Sequence, residues 1–138
     1  RALADDVRAL PEDRLDAMVR PRPGQEYPAH GIAWHRLREV EIHHVDLDMG
    51  YTADGWPEDF TARCLGDVTD MLAAREDCPA MALSAAGTGR TWRLGGDTDA
   101  PTVSGPERSL LAWLIGRGDG ADLTVTPVGP LPTPPVWA

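Results

Sequence analysis

Apolar positions recur at helical spacing in several stretches of this chain. Leu3, Val7 and Leu10 predict a helix ending near Leu10, and Leu15, Met18 and Val19 predict a shorter one starting at Pro11. Pro11 followed by Glu12 and Asp13 suits a new helix N-terminus, because proline lacks the donor that would be orphaned there and acids favour the positive end of the dipole. Residues 20–31, "RPRPGQEYPAHG", read as a loop. A helix is expected over 32–49, stopped by Gly50, and another over 58–75 with Phe60, Cys64, Leu65, Val68, Met71 and Leu72 at its apolar positions.

After residue 78 the texture changes. "AMALSAA" and "TWRLGG", joined by Gly-Thr-Gly, predict a hairpin of two short strands. "SGPERSLLAWLIGRG" predicts a helix with Ser104 as its cap, Pro106 and Glu107 in its first turn, and Gly116 or Gly118 at its end. "ADLTVTPV" is a further strand, and "GPLPTPPVWA" an extended tail anchored by Trp137. Helices first and a small mixed unit afterwards make the expected class α+β in two parts, residues 1–56 and 57–138.

Composition narrows the partners. The 138 residues carry a net charge of −9 and no basic cluster, so phosphate backbones would be repelled and nucleic acid is not an expected partner. No apolar run approaches the roughly 20 residues that a membrane span needs. Cys64 and Cys78 form neither a disulfide framework nor a zinc knuckle and read as reduced thiols of a cytoplasmic protein. Every basic side chain is arginine, and lysine and asparagine are absent, the bias of a high-GC bacterium such as an actinomycete. "GTGR" reads as a hairpin turn rather than a phosphate loop, and the five tryptophans read as packing groups.

Candidate chemistry gathers in "REVEIHHVDLDMGY", residues 38–51. On a wheel of 100° per residue, His35, Glu39, His43 and Asp46 share an arc of about 80°. A Glu and a His four residues apart can offer an oxygen and a nitrogen to one cation, with Asp46 behind the imidazole to accept its other N–H. An amphipathic helix also needs a polar arc, and a Glu–His pair stabilises a surface helix slightly. Two ligands do not close a tetrahedral site, so spacing alone leaves both readings open. Glu41 and His44 interrupt the apolar side of the same wheel, which suggests protein on more than one side of this helix.

"RLREVEIHHVDLDMGYTADGWPEDF" resembles the last helix of the N-terminal bundle in mycothiol-dependent maleylpyruvate isomerases, a branch of the DinB-like metalloenzymes. "GRTWRL", "VSGPERSLLAWLIGRG" and "LPTPPVW" resemble, in order, the small α/β domain that follows. The resemblance implies the C-terminal helices of a DinB-like four-helix bundle, then a small α/β domain with a short mixed sheet. It implies cis–trans isomerisation of maleylpyruvate to fumarylpyruvate in gentisate breakdown, with mycothiol and a divalent metal, zinc by preference, as cofactors. A thiolate adds to the double bond, the resulting single bond rotates, and expulsion restores the trans alkene. Metal coordination would deprotonate a thiol that is otherwise mostly protonated at neutral pH.

Carried over, Glu39 and His43 become metal ligands, Asp46 a group behind them, and Arg117 the catalytic arginine that binds a substrate carboxylate. Read without the resemblance, Arg117 is a cation complementing a helix C-terminus. The family's third ligand is a histidine on an earlier helix, which has no counterpart here; His30 and His35 are not assigned to that role. The chain begins at Arg1, and a further N-terminal segment is expected to complete the bundle. A mycothiol S-transferase of the same architecture, and a non-catalytic binding module with an incomplete metal site, are the alternatives.

Overall fold

The computed structural model describes residues 2–20 and 26–137; of the expected loop at 20–31, residues 21–25 lie outside the described residues. Contacts divide the chain into two units, Arg1–His43 and His44–Ala138, the division falling inside one helix. No described helix is long and apolar enough to cross a membrane.

The first unit holds α1 (Ala2–Arg8), a 3-10 turn at Glu12–Arg14, strands β1 (Met18–Val19) and β2 (Tyr27–Pro28), a 3-10 turn at Ala29–Gly31, and most of α2 (Ile32–Asp46). The helix expected from Pro11 to Val19 is corrected to a single 3-10 turn followed by a strand. The chain beyond Leu15 is held extended by its returning partner. Met18 pairs with Pro28, Ala29 N–H donates to the Ala17 carbonyl, and His30 N–H to the Leu15 carbonyl. On α2, Trp34 and Ile42 are buried, while Leu37 and Val40 stay 41% and 46% exposed. An apolar groove of about 420 Å³ lies along Ala4, Val7, Leu37 and Val40.

α2 stops at Asp46, three residues before the expected end. Leu47 and Asp48 N–H groups reach back three residues, to the carbonyls of His44 and Val45, tightening the last turn. Asp48 (φ 51°) and Gly50 (φ 86°) then take the left-handed conformation, which ends a helix.

The second unit is built on α3 (Glu58–Ala73), α4 (Glu107–Leu114) and a mixed sheet of β3 (Met81–Ala85), β4 (Thr91–Leu94), β5 (Thr102–Gly105) and β6 (Thr124–Thr126), ordered β4-β3-β5-β6. The expected hairpin is present as β3 and β4, antiparallel, with Leu83 opposite Trp92. β5 runs parallel to β3, with Val103 beside Leu83, and β6 is antiparallel to β5. Ser104 is not a helix cap; it lies in β5, and α4 starts three residues later behind Pro106, whose extended ψ of 145° makes the break. β-branched Thr102 and Val103 favour the strand, and Val103 is fully buried in it.

Both helices pack on the sheet and on each other. Phe60, Cys64, Leu65, Val68 and Leu72 of α3 meet a core that includes Leu110, Leu111 and Leu114 of α4 and Met81, Leu83, Leu94 and Val103 of the sheet, all at most 3% exposed. Met71, expected on the apolar face, is 49% exposed beside the buried Leu72; neighbours on a helix point about 100° apart and only one of the two faces in. Trp56 is completely buried edge-on to Phe60, ring centres 5.8 Å apart. Both cysteines are free and buried, and burial pushes the Cys78 thiol up from its ordinary range, away from reactive thiolate. The tail after β6 has no regular structure; Arg75 Nη1 donates to the Val136 carbonyl at 3.1 Å.

Candidate functional site

Glu39 and His43 come together as their spacing requires. One turn apart on α2, they bring Glu39 Oε2 to 3.4 Å from His43 Nε2, each side chain more than half exposed. Two donors about 2.0–2.1 Å from a zinc ion at a tetrahedral angle stand about 3.3 Å apart. The pair therefore fits one edge of a tetrahedral site. Among the described residues no three His, Cys, Asp or Glu side chains converge to complete it. His30 is largely exposed, its Nδ1 against the Leu15 carbonyl and 3.5 Å from Asp16. His35 stacks on Tyr27 with ring centres 3.9 Å apart, and His44 stacks on Tyr51 at 4.1 Å.

Arg117 is placed by the way α4 ends. Gly116, at φ 72°, takes the left-handed position that a Cβ would disfavour. Its N–H donates to the Trp113 carbonyl at 3.1 Å, and the Arg117 N–H reaches the Ala112 carbonyl at 2.7 Å. These two bonds are the Schellman motif, and they make Arg117 the second residue beyond the helix. Gly118 sits so close beneath that an added Cβ would stand 3.0 Å from the Ala112 Cβ. "WLIGRG" thus fixes the backbone that carries the guanidinium.

The guanidinium meets Asp46. Nε and Nη2 donate to the two oxygens of the Asp46 carboxylate at 2.9 and 2.8 Å, and Nη1 donates to the Ile115 carbonyl at 2.7 Å. The Arg117 side chain is only 20% exposed and that of Asp46 36%. The hydrogen-bonded carboxylate raises the Arg117 pKa above its ordinary value, against the opposing pull of burial, so the arginine is always charged.

Arg117 also borders two cavities of this unit. One, of about 330 Å³, is lined with Thr52, Arg108, Ser109 and Asp122; the other, of about 540 Å³, with Trp113, Leu131, the prolines of the tail and Trp137. Arg108 donates from Nε to the carbonyl of buried Trp56 at 2.8 Å, and the Ser109 hydroxyl donates to Asp122. These lining residues carry no local sequence signal, because the contacts that gather them span 13 to 71 positions.

Residues 55–135 match the family described as the MDMPI C-terminal domain. No curated protein matches the chain. A crystal structure of the mycothiol-dependent maleylpyruvate isomerase superposes with a TM-score of 0.84 at 27% identity, covering 94% of this chain and 53% of that one. A histidine-to-alanine mutant of the mycothiol-dependent maleylpyruvate isomerase superposes with the same values. The chain spans about half the length of these isomerase chains. The family match takes in α3, the whole four-stranded sheet, α4 and Arg117, the elements on which the second unit is built. By that match, the chain belongs to the mycothiol-dependent maleylpyruvate isomerase family and carries its C-terminal domain.

Proposed function

We propose that this protein works as a thiol-dependent cis–trans isomerase that converts maleylpyruvate to fumarylpyruvate in the cytoplasm. The observation that carries the reading is the Glu39–His43 donor pair, spaced as the edge of a tetrahedral metal site in a chain of this family. Glu39 Oε2 and His43 Nε2 would hold a divalent ion, zinc by preference, each donating a lone pair from an ionised carboxylate and a neutral imidazole. The metal and mycothiol, when bound, supply the thiolate whose reversible addition turns the double bond into a rotating single bond. Arg117, charged at every working pH, binds a carboxylate of the substrate and holds it while the rest of the molecule turns.

On the same reading the first unit is the C-terminal part of a DinB-like four-helix bundle. The exposed stripe of Leu37 and Val40 and the apolar groove beside it support this, since bundle helices bury such stripes against their neighbours. An N-terminal segment of the same protein would cover that stripe and bring the third ligand. Metal analysis tests the reading. The protein purified at its natural length should carry about one divalent ion per chain, lost in Glu39→Gln and in His43→Ala. Metal content unchanged by both substitutions would overturn the assignment.

A further inference from the structure

We propose that Asp46 is the positioning residue of Arg117, fixing the guanidinium so that its remaining N–H donors are presented to a substrate carboxylate. The inference rests on the reading of Arg117 as the carboxylate-binding group and gives that site its geometry. An arginine has five N–H donors in a rigid fork. Asp46 takes two of them, one on Nε and one on Nη2, and the Ile115 carbonyl takes one on Nη1. One donor is left on Nη1 and one on Nη2. A carboxylate entering the cavity beside Thr52 and Ser109 meets a guanidinium whose Nε edge is already closed and whose terminal donors are available.

Two features make the pair more than a surface contact. Asp46 is the last residue of α2, where the helix dipole disfavours an anion, and Arg117 offsets that cost. Arg117 stands just beyond the C-terminus of α4, where a cation is favoured, on a backbone already fixed by the Gly116 turn. The side chain is long and rotamer-rich, so without Asp46 the planar fork would have to be ordered by the ligand itself. Sequence spacing assigned Asp46 to the imidazole of His43; the bidentate pair gives it a role through Arg117.

Nitrogen-edited NMR of Arg117 during titration with maleate, a small cis-dicarboxylate, tests this. In the unsubstituted protein, maleate should shift the Arg117 Nη signals and leave the Nε–H signal unmoved, with Asp46 still in place. Displacement of the Nε–H signal would overturn the proposal and make Asp46 a competitor of the ligand. Asp46→Asn should raise the maleate Kd about 3- to 10-fold: the charges are partly exposed and screened, so relief of repulsion gains less than lost orientation costs. In an Arg117→Gln background, Asp46→Asn should add nothing. Additive effects, or a lower Kd for Asp46→Asn alone, would sink the proposal while leaving Arg117 as the carboxylate site. Absence of any maleate effect on Arg117 would overturn that site assignment and the proposal with it.

Discussion

α2 and α4 use their residues in opposite ways. α2 has fifteen residues and buries two of them, Trp34 and Ile42; α4 has eight and buries five in succession, Leu110 to Leu114. α4 lies on a sheet with α3 against its side, so almost every direction around it is protein. α2 keeps a Glu–His pair and an apolar stripe both exposed. The difference teaches that apolar spacing fixes which side of a helix wants a partner, while the partner decides whether that side is buried. It also separates two kinds of sensitivity: α4 should be sensitive in stability and α2 in chemistry.

Leu111→Ala, at a fully buried position of α4, should cost about 2–5 kcal/mol in chemical denaturation. A cost below about 1 kcal/mol would mean that α4 is not the packed element described. Glu39→Gln should lower isomerase turnover at least about 100-fold, the scale on which even groups supporting a metal ligand act. Compared metal-free, its denaturation midpoint should barely move from that of the unsubstituted protein, because the Glu39 side chain is 56% exposed. Equal losses of stability and turnover would contradict a chemical role for that face.

Gly116→Ala should cost about 1–2 kcal/mol, since φ is 72° there and a Cβ is strained in that region. The same change should disturb the Arg117–Asp46 pair, read from the Arg117 Nε–H signal, because Arg117 hangs from that turn. The smallest effect belongs to Leu37→Ala: on this chain, with Leu37 41% exposed, the change should stay within about 0.5 kcal/mol. A markedly larger cost in the protein at its natural length would show that another segment covers the stripe.

Local signals made much of this legible in the sequence. Gly87 and Gly89 mark the β3–β4 turn, both with positive φ, and Gly116 marks the end of α4. The Glu39–His43 contact follows from helical periodicity and needs no tertiary knowledge. β5 was hidden because "TVSGPER" carries a helix-start signature, and its strand character comes from parallel pairing with β3 some twenty residues earlier. The bidentate Asp46–Arg117 pair joins positions 71 apart, a separation that no window or wheel reports. Spacing offers Asp46 to the nearest imidazole, whereas the pairing of its carboxylate with Arg117 is visible only in the tertiary structure.

The most direct test is a turnover assay on the protein at its natural length, following maleylpyruvate and fumarylpyruvate with and without mycothiol. Conversion should require mycothiol, stop on chelation of divalent metal, and fall sharply in Glu39→Gln, His43→Ala and Arg117→Gln. Mycothiol consumed into a stable adduct without isomerised product would point to an S-transferase instead. No mycothiol-dependent change in substrate at all would contradict the isomerase reading and leave a binding module on this fold.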